Sequence, residues 1–220
     1  MTRAEEIAAA LLDVRGRIAA AAGRAGRDAS SVVLVAVSKT RPVEDLLAAY
    51  QAGVRHFGEN RVQEAEAKFP LLPPGCTRHL IGPVQSNKAA RALRVADVLH
   101  TVDREDLARR LDRAACAEGR RLPCFIEVNT GGEGTKAGAA PVEVAPLVAL
   151  VRSLPGLDLR GLMGIPPPGE TRPHFVLLRT LARLLDLPEL SMGMSDDFEA
   201  AVEEGATAVR VGSAIFGARS

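Results

Sequence analysis

The amino-acid sequence predicts an α/β protein, a single closed (β/α)8 barrel preceded by one extra helix. Eight short apolar segments alternate with helical segments along the 220 residues. This alternation is typical of a parallel sheet covered by helices, and eight units in roughly 190 residues fit a closed barrel better than an open doubly wound sheet. Because no linker, composition shift or low-complexity segment divides the chain, we expect residues 1–220 to form one domain.

The extra helix is predicted at the N-terminus. Thr2 and Glu5 have the spacing of a capping box, and apolar residues recur at helical intervals through residues 7–18 until Gly23. Since this helix precedes the first strand, we expect it to pack against the outside of the barrel.

The first strand is predicted over residues 32–37, where six successive apolar residues include four valines. Such a run is typical of a strand that is buried on both faces of a parallel sheet. Pro42 and the acidic residues after it begin the next helix, so Lys39 falls in a short strand-to-helix loop. Ligands bind at this edge of α/β folds.

The remaining strands and helices follow in strict alternation. Glycine, proline and asparagine mark the turns between them, and leucines recur at helical spacing in the helices. The predicted strands are 54–57, 78–81, 97–102, 123–129, 159–165, 189–192 and 207–211. The predicted helices are 43–53, 61–69, 85–93, 103–119, 141–154, 171–187 and 198–204.

The composition argues against several classes of function. Basic and acidic residues number 28 and 27, a net charge of +1, and no run of one sign predicts binding to nucleic acid or to a membrane surface. The three cysteines and four histidines lack metal-ligand spacing, and the cysteines predict no disulfide framework. With neither a signal peptide nor a membrane-spanning segment predicted, we expect a cytoplasmic protein.

Lys39 has two interpretations. A lysine at the end of a strand is commonly a solvated cation whose stem lies along apolar neighbours. Partial burial beside valines would instead disfavour the charged form and supply the neutral amine of a Schiff-base lysine. The lysine alone does not decide between them.

The last unit of the chain predicts an anion site. The strand at 207–211 ends in Gly212 and Ser213 and turns at once into a short helix, whose free backbone amides suit a phosphate. In (β/α)8 barrels the loops after the last two strands frequently hold phosphate, and Ser195 begins a similar helix after the seventh strand. The alternative is an ordinary strand-to-helix turn with a serine cap.

Other motifs carry less information. The glycine-rich loop 131–138 lacks the core of a phosphate-binding loop because Thr135 separates Gly134 from Lys136. We expect a flexible loop from which Lys136 could reach the barrel mouth. The sequence contains no Gly-x-Ser-x-Gly nucleophile elbow, so nothing in it supports a serine hydrolase.

A closed barrel pairs its eighth strand with its first, so Lys39 and the predicted phosphate site are neighbours. One ligand with an aldehyde and a phosphate would span both, and pyridoxal phosphate is such a ligand.

Six segments resemble the pyridoxal-phosphate homeostasis protein family in order and spacing, from about residue 5 to the C-terminus. They are AVSKT at 36–40, FGEN at 57–60, HLIGPVQSNK at 79–88, GLM at 161–163, SMGMSDD at 191–197 and VRVGSAIFG at 209–217. The resemblance implies a fold-type-III pyridoxal-phosphate TIM barrel, like the N-terminal domain of alanine racemase. It also implies a cytoplasmic protein that binds the cofactor without a well-established reaction of its own.

The resemblance assigns roles to matching positions. Lys39 would form the internal aldimine, a Schiff base with the cofactor. The phosphate would lie against Gly212, Ser213 and Ser195. Arg210 would face the pyridine nitrogen and, because an arginine cannot accept a proton, would keep that nitrogen unprotonated and the ring a poor electron sink. The residues that would line the rest of the pocket are Asn60, His79 and Met163.

Three functions use such a lysine. A carrier would hold pyridoxal phosphate on Lys39, limit the free aldehyde in vitamin B6 homeostasis and hand it to apoenzymes, and we expect it to be a monomer. An amino-acid racemase of this fold would need a tyrosine from a second domain, but no such domain is evident and the single tyrosine, Tyr50, is predicted on an outer helix. The six segments disfavour a Schiff-base aldolase. We predict the carrier, with the racemase as the alternative.

Overall fold

The computed structural model describes residues 1–132 and 137–218. Its strands are β1 Val33–Val37, β2 His56–Glu59, β3 Thr77–Leu80, β4 Val98–Val102, β5 Leu122–Val128, β6 Leu157–Gly164, β7 Glu189–Ser191 and β8 Ala208–Val211. Its α-helices are α1 Arg3–Arg24, α2 Val43–Gln51, α3 Val62–Lys68, α4 Ala89–Val95, α5 Glu105–Ala117, α6 Val144–Ser153, α7 Arg172–Leu184, α8 Phe198–Glu203 and α9 Ser213–Phe216. The strands pair in parallel in chain order and β8 pairs with β1, which confirms the predicted closed TIM barrel.

Side chains alternate between the barrel interior and the layer beneath the helices. On β1, Ala36 belongs to the main apolar cluster under the helices, whereas Val35 and Val37 are buried outside that cluster and face the interior. Lys39 lies two residues beyond Val37 and continues the inward series. The alternation therefore directs the lysine towards the mouth of the barrel.

The extra helix α1 packs on the outside of the barrel, as predicted, against α2, α8 and α9. Its capping box at Thr2 and Glu5 is present. Nη2 of Arg3 donates to Oδ2 of Asp45 over 2.7 Å and to the carbonyl oxygen of Phe216 over 2.9 Å. These bonds join α1 to α2 and α9, the helices that follow β1 and β8.

The predicted position of β2 was wrong by two residues, because the preceding segment completes the end of α2. Gly53 has a φ of +90°, and the N–H of Val54 donates to the carbonyl oxygen of Ala49 over 3.0 Å. The strand therefore begins at His56. As a consequence Glu59 belongs to the strand and is fully buried.

Other ends differ by a few residues. The predicted helix at 85–93 is divided, since a 3-10 turn at Ser86–Lys88 precedes α4. The helix predicted to reach residue 187 ends earlier, before Asp186 takes a left-handed φ of +51°. No helix within residues 1–132 and 137–218 is long and apolar enough to cross a membrane.

Candidate binding site at the carboxyl ends of the strands

A cavity of about 240 Å³ opens at the carboxyl ends of the strands, where β8 pairs with β1. Six of the eight predicted site residues line it: Lys39, Asn60, Ser195, Arg210, Gly212 and Ser213. The other two, His79 and Met163, are buried in the barrel interior and do not line the cavity. Lys136 lies outside the described residues.

Lys39 presents a free amine to this cavity. The side chain is half-buried, and its amine makes no hydrogen bond or ion pair with any residue in the described ranges. A nucleophilic lysine needs an amine that is near a ligand and not engaged by an anionic partner. The geometry therefore favours the Schiff-base interpretation over the solvated cation.

A buried network fixes the backbone on the N-terminal side of Lys39. Ser38 is fully buried, and its hydroxyl donates to Oε1 of Glu59 over 2.7 Å. Nζ of Lys68 donates to the Ser38 carbonyl oxygen and to the same Glu59 oxygen, each over 2.9 Å. Burial raises the pKa of Glu59, and the hydrogen bonds from Lys68 and Ser38 oppose that rise.

The backbone on the C-terminal side of Lys39 is fixed as well. Thr40 has a left-handed φ of +63°, which is strained for a β-branched residue. Its N–H donates to Oε2 of Glu64 over 3.0 Å, and the N–H of Arg41 donates to the carbonyl oxygen of Ser38 over 3.0 Å. The turn thus holds the lysine backbone in one place while its side chain stays free.

The turn after β8 brings backbone amides to the cavity. The hydroxyl oxygen of Ser195 accepts from the N–H of Gly212 over 3.2 Å and from the N–H of Ala214 over 3.3 Å. A Cβ on Gly212 would lie 3.2 Å from the carbonyl oxygen of Val37, so the glycine permits this turn to approach β1 closely. Gly212 occupies the N-cap position of α9, so the alternative of a cap by Ser213 is not observed.

Arg210 forms the inner wall of the cavity. It is 3% exposed, and its Nη1 and Nη2 donate to the hydroxyl of Ser191 over 2.7 Å and to the carbonyl oxygen of Gly164 over 2.9 Å. Burial lowers its pKa to about 10, so it stays charged at neutral pH. Within the described part of the chain no carboxylate makes a hydrogen bond or an ion pair with this guanidinium.

Asn60 lies where two strand ends come very close together. A Cβ on Gly82 would be only 2.2 Å from the Asn60 carbonyl oxygen, so no larger residue fits at position 82. This contact holds Asn60 against the loop after β3, at the edge of the cavity that Ile81 also lines.

Sequence reasoning missed several residues around the site. Val37 and Ile81 line the cavity, and the inward alternation along β1 and β3 could have found both. Arg41 also lines it and donates to the carbonyl oxygens of Gly217 and Ala218 over 2.5 and 2.8 Å, a long-range contact with no sequence signal. The network of Glu59 and Lys68 was missed because β2 was placed too early.

The closed barrel and its lysine-bearing cavity define a TIM-barrel protein of the alanine racemase type. The sequence profile of the family "Alanine racemase, N-terminal domain" matches residues 14–220. A curated relative from Pseudomonas aeruginosa, named pyridoxal phosphate homeostasis protein, is 46% identical over 97% of this chain and 96% of its own length. The chain therefore belongs to the pyridoxal phosphate homeostasis protein family, which confirms the resemblance noted in the sequence.

Two solved structures define the similarity in three dimensions. PipY of Synechococcus elongatus, solved with pyridoxal phosphate bound, is 41% identical with a TM-score of 0.85, covering 96% of this chain and all of PipY. Alanine racemase from Corynebacterium glutamicum is 16% identical with a TM-score of 0.72, covering 98% of this chain and 61% of the racemase. The similarity to the racemase shows that the two proteins share a fold.

Proposed function

We propose that this protein binds pyridoxal 5'-phosphate, carries it on Lys39 as a Schiff base and buffers it in vitamin B6 homeostasis. One observation carries the proposal: a single cavity is lined both by Lys39, whose amine is free of described partners, and by the turn at Gly212 and Ser213. The names of the curated relatives, and the cofactor found in PipY, support the same ligand.

The donors and acceptors of the cavity fit this cofactor. Arg210 has five N–H groups, and its hydrogen bonds to described residues engage only two of them, so donors remain for a ring nitrogen. The hydroxyl oxygen of Ser195 accepts from the N–H groups of Gly212 and Ala214, which leaves the hydroxyl hydrogen of Ser195 for a phosphate oxygen. Asp196 lines the cavity but is exposed, so water screens its repulsion of a phosphate.

Each residue then has a distinct task. Bound pyridoxal phosphate supplies an aldehyde that condenses with a primary amine and releases water. Lys39 supplies the amine, while Gly212, Ser213 and Ser195 hold the phosphate. Arg210 donates to the ring nitrogen and, because it cannot accept a proton, keeps that nitrogen unprotonated.

The three remaining predicted site residues differ in where they act: Asn60 lines the cavity, whereas His79 and Met163 lie in the barrel interior. In this proposal Asn60 contacts the cofactor directly, whereas His79 and Met163 support the inner wall. Met163 is fully buried next to Glu127 and Ser191 in the strand register.

The racemase alternative receives no support from the chain's single tyrosine. Tyr50 does not line the cavity, and its ring lies 4.1 Å from the guanidinium of Arg55, which precedes β2 at the opposite end of the barrel. A two-base racemase needs a second acid or base on the face of the substrate opposite the lysine. Rapid conversion of L-alanine to D-alanine by the loaded protein would revive this alternative.

We further propose that residues 1–220 act as one domain, as a monomer in the cytoplasm, and pass the cofactor to apoenzymes. Light scattering on the purified chain should give a mass of about 23 kDa, since one chain is 23.2 kDa. Mixing loaded protein with a pyridoxal-phosphate-dependent apoenzyme should restore its activity faster than release into buffer allows.

Visible absorption spectroscopy tests the function. The protein mixed with pyridoxal phosphate should show a yellow band that Lys39→Ala lacks. Lys88→Ala is the matched control, because Lys88 lies in the turn before α4 and does not line the cavity. An unchanged spectrum in Lys39→Ala would defeat the proposal.

A further inference from the structure

Three of the four histidines lie next to one another inside the barrel. His56, His79 and His100 come from the adjacent strands β2, β3 and β4. Nδ1 of His56 lies 3.0 Å from Nε2 of His79, and Nδ1 of His79 lies 2.9 Å from Nε2 of His100. The imidazoles form one hydrogen-bonded row.

The row continues to Arg210. Nδ1 of His100 lies 2.9 Å from the hydroxyl oxygen of Ser191, to which Nη1 of Arg210 donates over 2.7 Å. We name His56, His79, His100 and Ser191 the histidine relay. It extends from Arg210 to His56, which lines a second cavity of about 470 Å³ on the side of the barrel where the strands begin.

The chemistry of Arg210 sets the direction of every bond in the relay. A guanidinium only donates, so the Ser191 oxygen accepts from Arg210. Ser191 is fully buried, and the only acceptor near its hydroxyl among the described residues is Nδ1 of His100, so the hydroxyl hydrogen is donated there rather than left unsatisfied. A neutral His100 then carries its hydrogen on Nε2, and the same step repeats at His79 and His56. Burial favours the neutral state, since it lowers the pKa of His79 to about 3 and that of His100 well below its usual value. All three imidazoles therefore share the Nε2–H tautomer.

The far end of the relay preserves this direction. Nε2 of His56 makes no hydrogen bond with a described residue, and burial lowers the pKa of His56, which favours its neutral state. A hydrogen added to Nδ1 of His56 would face the N–H of His79. Every bond up to Ser191 would have to reverse to accommodate it.

We propose that the histidine relay is a positioning device that holds the Arg210 guanidinium against the wall of the cofactor cavity through a directed row of neutral groups. The inference rests on the proposed function, which gives Arg210 the task of facing the cofactor ring. The acceptor ends of the relay point towards a buried cation that is hydrogen-bonded to no carboxylate among the described residues, although the charges of Glu127 and Asp197 act on it from a distance. The N–H groups that the relay does not engage stay directed to the cavity.

Nitrogen-15 NMR of the unloaded protein tests the direction of the relay, because the chain has only four histidines. Three imidazoles should show the neutral Nε2–H pattern at pH 7.5. His174 is an internal reference, because its Nδ1 lies 3.1 Å from the Thr130 carbonyl oxygen, which only accepts, and should carry a hydrogen there. A relay histidine with its hydrogen on Nδ1, or with two hydrogens, would overturn the proposal.

Variants of Ser191 test the effect on Arg210. Ser191→Ala removes the acceptor of a buried charged donor, so the dissociation constant for pyridoxal phosphate should rise about tenfold and the His100 tautomer should lose its preference. Ser191→Thr retains the hydroxyl and should restore both, while His174→Gln is the control histidine outside the relay. Unchanged affinity and an unchanged His100 spectrum in Ser191→Ala would overturn the positioning role.

Failure of the proposed function and failure of the histidine relay are distinguishable. A wild-type protein without affinity for pyridoxal phosphate would overturn the proposed function, whereas the tautomer pattern of the unloaded protein tests the relay by itself. The wild-type spectrum also keeps the inference falsifiable if a Ser191 variant fails to fold.

Discussion

Lys39 and Arg210 are two cations at one cavity, and the barrel holds them in opposite ways. Lys39 has a fixed backbone and a free side chain, with charged groups engaging the residues on both sides of it. Arg210 has a side chain fixed by neutral acceptors, a hydroxyl and a carbonyl. A lysine that must react needs a mobile amine at a defined place, whereas an arginine that must orient a ring needs a fixed guanidinium.

The largest effect is expected from breaking the charged network on the lysine side. Lys68→Met leaves the carboxylate of Glu59 buried without its cation, which should lower the free energy of unfolding by about 3 kcal/mol. Urea denaturation at neutral pH measures this loss. The double variant Lys68→Met with Glu59→Gln should recover part of it, and a loss below about 0.5 kcal/mol in the single variant would show that the network does not fix the lysine turn.

A second prediction tests whether neutral groups alone hold Arg210. Glu127 on β5 is buried, and its Oε2 has no hydrogen-bond partner among the described residues. Burial raises its pKa to about 7, with the charge of Asp103 adding to the rise and that of Arg210 opposing it. In the unfolded chain this carboxyl keeps its ordinary pKa of about 4.5. Between about pH 4.5 and 7 the native state therefore keeps a proton on Glu127 that the unfolded state has lost. The free energy of unfolding falls as the pH rises through that range.

Glu127→Gln removes this penalty. The variant should be more stable than wild type by about 2 kcal/mol at pH 8 and nearly equal to it at pH 4, as measured by chemical denaturation at both pH values. A large loss of stability at pH 8 would instead identify Glu127 as an ionised partner of Arg210 and break the comparison.

The smallest change in free energy is expected from substitution of Arg210, and it concerns cofactor binding. Arg210→Gln should retain the yellow band, because Lys39 is unchanged, but should weaken pyridoxal phosphate binding about tenfold by removing a charged donor. Titration of the absorption band measures this affinity. Arg91→Gln is the control, since Arg91 pairs with Glu66 on the surface. Full-strength binding by Arg210→Gln would remove Arg210 from the site.

The sequence predicted those features that depend on local patterns. The order of strands and helices follows from alternating apolar segments, and Lys39 and Gly212 are neighbours because a closed barrel pairs β8 with β1. The position of β2 was not predictable in this way, because the chain reversal at Gly53 uses residues that look like the start of a strand.

The histidine relay shows a further limit of sequence reasoning. Successive members of the row His56, His79 and His100 are more than twenty residues apart in sequence, and their rings meet because β2 pairs with β3 and β3 with β4. The sequence indicated only that the histidines lack metal-ligand spacing. Which ring contacts which depends on the closed barrel, and the direction of the bonds depends on Arg210 at the end of the row.

Borohydride reduction followed by peptide mass spectrometry tests the central claim most directly. The chain has four lysines, Lys39, Lys68, Lys88 and Lys136, so each possible attachment site can be read separately. After incubation with one equivalent of pyridoxal phosphate and reduction, the added mass should lie on the peptide that contains Lys39. Labelling of Lys68, Lys88 or Lys136 with Lys39 unmodified would contradict the account.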